Sequence, residues 1–277
     1  MYTALIAILF LAFTGILLGC VIGFVAKIFA VKSDPRIEEV AEMLPGANCG
    51  GCGKAGCIDL ARAIVMGEIS PGACPVSSSD TVAKIASFLG VDAGSSEKKV
   101  AVILCGGNKS STEHGPIYNG ILDCVSAMIV AGGPKGCLHG CLGFASCARA
   151  CPFHAIEIID GLAFVHNELC VGCGKCVETC PRHLIKLVPA TAEVHVYCNS
   201  PEKGNEKKKF CSVSCIACRK CMKSVGEGQI SMEGFLARIN YSNPPDGGIV
   251  EKAACPTGCL RKNILPAGKK LKEKDAA

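Results

Sequence analysis

Cys170-x2-Cys173-x2-Cys176-x3-Cys180-Pro181 is the most chemically explicit stretch of the chain. Two-residue gaps let one tight loop turn three thiolates towards a common centre, while the fourth, leaving ahead of a proline, reaches a neighbouring one. That is the ligand run of bacterial [4Fe–4S] proteins, in which the fourth cysteine serves the other cluster. Zinc sites draw instead on separated C-x2-C pairs that close one tetrahedron, so the spacing favours cubanes. A partner run precedes it: Cys137, Cys141, Cys147 and Cys151-Pro152, with Phe144 where a regular run carries its middle cysteine. Cys137 is expected to supply the missing ligand. Exchange of fourth ligands then predicts one cluster on Cys137, Cys141, Cys147 and Cys180, and another on Cys151, Cys170, Cys173 and Cys176.

Two further groups lie on either side. Cys49-x2-Cys52-x4-Cys57-x16-Cys74 offers four thiolates within one short segment, and its glycines let backbone amides approach a cluster and tune it. The same stretch formally satisfies G-x-G-x-x-G, but a cysteine separates its first two glycines and no strand precedes it, so nucleotide binding is not expected. From Cys137 onward the chain repeats itself: Cys211-x3-Cys215-x5-Cys221 echoes Cys137-x3-Cys141-x5-Cys147. In this second copy Cys215, Cys218 and Cys221 form the triplet, with Cys255 as remote fourth ligand. Val225 stands where Cys151 would be, and 230–254 carries no cysteine, so one cluster is predicted where the first copy has two. Four [4Fe–4S] clusters thus account for sixteen of the 22 cysteines. Cys20, Cys105, Cys124, Cys198, Cys211 and Cys259 are left over; the last three read as buried thiols or as alternative ligands, with buried thiols preferred. His139 and His154 lie within the runs and are expected to tune a cluster by hydrogen bonding rather than to bind one.

These groups need elements to hold them. With 22 cysteines, no tryptophan and only 5% aromatics in 277 residues, an ordinary apolar core is insufficient, and metal or disulfides must contribute. The close cysteine spacing speaks against long-range disulfides. A net charge of +5, without a basic stripe interleaved with aromatics, argues against a nucleic-acid partner.

Residues 2–26 carry no charge and, at ~1.5 Å per residue, give a helix on the order of 38 Å long, enough to span a bilayer. Lys27, Lys32 and Arg36 follow the span and nothing basic precedes it. The positive-inside rule places the body in the cytoplasm, on the inner face of the cell membrane. Next, Asp34-Pro35 opens a helix with Ile37, Val40, Ala41 and Leu44 on one face; a second carries Ile58, Ala61, Ile64 and Val65; Asp80 is expected to cap a third, ending at Gly90. Residues 100–104 read as a buried strand.

The predicted fold is α+β. A transmembrane anchor (1–30) is followed by a small helical [4Fe–4S] domain (33–92) and a linker or scaffold segment (93–135). A two-cluster bacterial ferredoxin-like domain (136–190) comes next, then a degenerate ferredoxin-like domain with one cluster (191–265) and a disordered tail (266–277).

An apolar anchor, then PGANCGGCGKAGC, then Asp123-Cys124 and KGCLHGCLGFASCARACPF, resembles the B subunit of the Rnf complex, from the anchor to about residue 190 and more weakly to about 262. The resemblance implies an iron–sulfur subunit of a membrane-bound translocase that couples electron transfer between ferredoxin and NAD to pumping of Na+ or H+. It implies partners too: flavin- and NAD-binding subunits, multi-span membrane subunits and soluble ferredoxin. No self-contained active site is expected. The alternatives are a relay subunit of another membrane-bound oxidoreductase and, less favoured, catalysis on a cluster as in a dehydratase or radical enzyme, which needs an open iron where every core group offers four thiolates. Lys203, Lys207, Lys208 and Lys209 read either as a solvated loop or as a landing site for an acidic ferredoxin.

Overall fold

The computed structural model describes residues 2–28, 34–94, 97–130 and 132–262. The tail expected over 266–277 and the flanking Lys32 lie outside them. Helix α1 (Tyr2–Ile28) is continuous, and apolar side chains such as Leu9, Phe13, Leu17 and Phe24 are exposed around it. Its side chains are described without a break only over 9–25, and among the described residues no helix is long and apolar enough to cross a membrane.

Three short helices make the N-terminal unit. The Asp34 carboxylate accepts from the Arg36 backbone N–H and caps α2 (Pro35–Met43), whose Ile37 and Val40 are buried. On α3 (Cys57–Val65) the inward face is Leu60, Ala61 and Ile64, while Ile58, expected on that face, is exposed. Helix α4 (Ser79–Leu89) is capped by Ser78, whose hydroxyl accepts from the Thr81 N–H at 3.2 Å. Asp80, expected in that role, already lies in the first turn, where its charge suits the helix dipole. Gly90 closes α4 in the left-handed region, as expected.

The repeat in the sequence is a repeat of structure. Strand β1 (Lys99–Ile103) is buried and leads through α5 (Cys124–Ile129) to the first cysteine run. There follow α6 (Ser146–Arg149), the hairpin of β2 (Ile156–Ile159) and β3 (Leu162–Val165), α7 (Lys175–Thr179) and β4 (Ile185–Pro189). Strand β1 pairs antiparallel with β4, Lys99 opposite Pro189 and Ile103 opposite Ile185. The strand expected within a linker thus belongs to the sheet beside the two-cluster runs.

The second copy opens on β5 (Val194–Val196), which leads into α8 (Gly204–Phe210). It then runs through α9 (Lys220–Lys223), the hairpin of β6 (Ile230–Glu233) and β7 (Leu236–Ile239), α10 (Ile249–Ala253) and β8 (Leu260–Lys262). Helices α9 and α10 and both hairpin strands follow their counterparts at the same offset that separates Cys211 from Cys137, and β5 pairs with β8 as β1 does with β4. Even backbone conformation recurs: Ala145 and Arg219, ahead of α6 and α9, both hold left-handed φ, at 64° and 59°. Each copy has its own apolar core, between hairpin and sheet.

Candidate iron–sulfur centres

The short helices and hairpins hold cysteine thiols against apolar cavities. Cys151, Cys170, Cys173 and Cys176 line one of about 330 Å³ beneath β2 and α7. Two backbone N–H groups point at its sulfurs: Ala101 donates to Cys170 Sγ at 3.3 Å and Ala155 to Cys151 Sγ at 3.4 Å. These are the four residues grouped by the exchange rule.

A second cavity, about 370 Å³, is lined by Cys141, Cys147, Cys180 and Cys124. Here the structure departs from the sequence reading. Cys124, at the start of α5, stands beside these three thiols, and Cys137 lies elsewhere. Asp123 fixes α5 by accepting from the Val125 and Ser126 N–H groups. Its carboxylate also takes the Ser146 hydroxyl at 2.7 Å, and Ser146 Oγ accepts from Cys124 N at 2.9 Å. That knot holds Cys124 against the helix carrying Cys147. The Asp123-Cys124 pair was the available signal, but it stands well ahead of Cys141 and outside any local spacing rule.

Cys215, Cys218, Cys221 and Cys255 line a third cavity of about 390 Å³ in the second copy, together with Cys259. Cys218 is exposed, and Arg219, Lys220 and Lys223 are exposed around it. In the N-terminal unit Cys74 is buried in the helical core, with Cys52 and Cys57 packed against it. Asn48 Oδ1 accepts from Cys57 N at 2.8 Å, drawing the loop that bears Cys49 onto the start of α3. Gly51 abuts the first repeat: a Cβ there would meet Cys173 Cα at 2.9 Å and Pro75 Cγ at 3.0 Å.

The remaining cysteines are not scattered. Cys105, Cys137, Cys198 and Cys211 line a fourth cavity of about 390 Å³. Cys259 is buried between the second copy's thiols, within hydrogen-bonding reach of Cys198 and Cys215. The His139 backbone N–H, not its ring, serves a sulfur, that of Cys137; the ring faces Glu202 at 3.8 Å. Lys207, expected on a surface patch, is 2% exposed and donates to the Phe235 carbonyl at 2.8 Å.

In the two pockets of the first repeat, burial disfavours the charged thiolate. Burial, then neighbouring thiols, pushes Cys147 and Cys176 up to about 12. Such thiols ionise when metal binds them, because a coordinated thiol is deprotonated outright. Among the described residues no three His, Cys, Asp or Glu side chains converge tightly enough for a single metal ion. Four cysteine thiols lining one pocket are the donor set that a [4Fe–4S] cluster would take. The residues therefore fit iron–sulfur clusters, with backbone N–H groups aimed at the sulfurs.

Family profiles agree on the cofactor class. One described as a putative Fe-S cluster matches residues 44–76, and one described as an LdpA Fe-S cluster-binding domain matches 135–191. The chain is 40% identical, over 92% of its length and 95% of the relative's, to the B subunit of the ion-translocating oxidoreductase complex of Methanosarcina acetivorans. The chain belongs to the B-subunit family of ion-translocating oxidoreductases, the Rnf family. Two other members match nearly as fully. The B subunit of the Na(+)-translocating ferredoxin:NAD(+) oxidoreductase complex of Acetobacterium woodii is 41% identical over 90% of this chain and 75% of its own. The proton-translocating counterpart of Clostridium ljungdahlii is 36% identical over 94% and 93%. As an Rnf B subunit, the chain is an iron–sulfur electron-transfer component of a multi-subunit oxidoreductase complex.

Proposed function

We propose that this subunit carries electrons singly between soluble ferredoxin and the membrane core of a complex that couples ferredoxin:NAD oxidoreduction to Na+ or H+ translocation. One observation carries the reading: neighbouring cysteine groups abut one another. Cys49 of the N-terminal group lies close to Cys173, and Cys176 lies close to Cys147 of the next group. A bound [4Fe–4S] cluster takes up and returns one electron with no bond made or broken.

The chain's own residues hold the centres, order them and keep water from them. The thiolates assigned are Cys49, Cys52, Cys57 and Cys74; Cys124, Cys141, Cys147 and Cys180; Cys151, Cys170, Cys173 and Cys176; and Cys215, Cys218, Cys221 and Cys255. Backbone N–H groups at Cys170 and Cys151 stabilise negative charge on sulfur. Exposed Lys220 and Lys223 beside Cys218 suit the landing of an acidic ferredoxin, a role for which buried Lys207 is unsuited.

Helix α1, apolar on every side, is assigned to the inner membrane, with the cluster-bearing units on the cytoplasmic side. Flavin- and NAD-binding and multi-span subunits complete the complex in this reading. The division into anchor, small helical domain and two ferredoxin-like domains goes with it, β1 counted with the first of those two.

Iron and sulfide analysis of the anaerobically purified chain, with EPR after dithionite, tests the cofactor. Several S = 1/2 signals of [4Fe–4S] type are expected; stoichiometric zinc without iron would overturn it.

A further inference from the structure

We propose that Cys105, Cys137, Cys198 and Cys211 hold a further [4Fe–4S] cluster, seated between the two repeats and joining their cluster groups into one line. The inference goes beyond the relay reading, which needs no such centre.

Repeat symmetry is the first support. Cys211 is the counterpart of Cys137 in the second copy, each opening the same Cys-x3-Cys-x5-Cys pattern. Cys105 follows the end of β1 by two residues, and Cys198 follows the end of β5 by two. Two pairs of equivalent cysteines thus meet from opposite sides. Leftover thiols buried for bulk have no reason to arrange themselves so.

Space and hydrogen bonding agree. Like the pockets of the other three groups, the cavity is lined by at least four cysteines. Glycines clear its walls: a Cβ on Gly140 would meet the Cys137 and Cys105 sulfurs at 3.4 and 3.6 Å, and one on Gly107 the Cys211 and Cys105 sulfurs at 3.3 and 3.9 Å. Each sulfur accepts a backbone N–H: Cys105 from Cys141, Cys137 from His139, Cys198 from Ser200 and Cys215, and Cys211 from Val213. That is the donor shell cluster thiolates attract. The ammonium of Lys207, buried in the cavity wall, answers the net negative charge that four thiolates leave on a cubane.

Its position gives it work. On one side Cys105 touches the backbone of Cys141, a thiol of the Cys124 group. On the other, the Cys259 thiol lies between Cys198 and Cys215. The centre accepts one electron from a neighbouring cluster and passes one to the next. The ultimate donor is reduced ferredoxin, and no bond changes.

The test is native mass spectrometry and iron analysis of the full chain, wild type and C105A/C198A, with C20A as control. Five cubanes, about twenty irons, are expected in wild type and C20A, falling by about four irons with one EPR signal lost in the double variant. Four cubanes in wild type, or an unchanged count in the double variant, overturns the proposal. The wild-type count needs no variant to fold. Absence of iron altogether would instead strike the relay reading, so the two failures are distinguishable.

Discussion

The backbone N–H of Cys141 donates to the Sγ of Cys105 at 3.3 Å, across a long separation in the chain. Cys141 belongs with Cys124, Cys147 and Cys180, whereas Cys105 belongs to the cavity between the repeats. A single peptide group therefore separates two thiol sets. Other groups come near one another at Cys49 and Cys173 and at Cys147 and Cys176, and the Cys259 thiol lies between Cys198 and Cys215. The order along the molecule is N-terminal unit, Cys151 group, Cys124 group, inter-repeat cavity, Cys215 group.

Replacement of Cys124 discriminates between the local spacing rule and the folded arrangement. C124A is expected to lose about four irons, because its thiol completes the Cys141, Cys147, Cys180 set. Retention of full iron in C124A would return that place to Cys137.

The junction between the N-terminal unit and the first repeat rests on Gly51. G51V places methyl groups against Cys173 and Pro75, where a Cβ alone already comes within 3.0 Å. Overpacking of this kind costs about 1–3 kcal/mol. Iron content should stay unchanged, while magnetic coupling between the two reduced centres weakens and transfer between them slows. Unaltered coupling would mean that the junction does not set their separation.

Lys207 is a buried cation near Cys198 and Cys215. K207M removes its charge and its hydrogen bond to the Phe235 carbonyl, costing roughly 1–3 kcal/mol of stability. It also removes a charge that favours the reduced cluster, so the neighbouring reduction potential is expected to fall. A redox titration followed by EPR reads this directly; an unchanged potential contradicts it.

Charge reversal at Lys220 and Lys223 addresses ferredoxin docking. The K220E/K223E variant should slow electron uptake from reduced ferredoxin about tenfold at low ionic strength, with the difference shrinking at high salt. Equal rates at all salt concentrations would move the landing site elsewhere. The Lys208 and Lys209 pair serves as comparison, since both side chains are exposed but lie on α8 rather than α9.

What could be read from the chain was what its ligands encode locally. The Cys170-x2-Cys173-x2-Cys176 run depends on two-residue gaps, and the structure gathers those three thiols with Cys151 round one cavity, while Cys180 lines the neighbouring one. Cys124 left no such trace, because α5 reaches its place through Asp123 and Ser146, far apart in sequence. Cys137, close ahead of Cys141, lines the inter-repeat cavity rather than the one that Cys141 lines. Burial of 100–104 was legible, but not its pairing with β4, since antiparallel partners so distant in sequence leave no periodic mark. The equivalence of Cys137 and Cys211, and a cysteine two residues past both β1 and β5, pointed to one shared site.

The central claim is that this subunit relays single electrons between ferredoxin and the rest of the complex. Rapid-freeze EPR of the assembled complex mixed with reduced ferredoxin tests it most directly. The expected result is appearance of this subunit's [4Fe–4S] signals before any flavin radical, and their decay once NAD is supplied. Flavin reduction at full rate while these signals stay silent would contradict it.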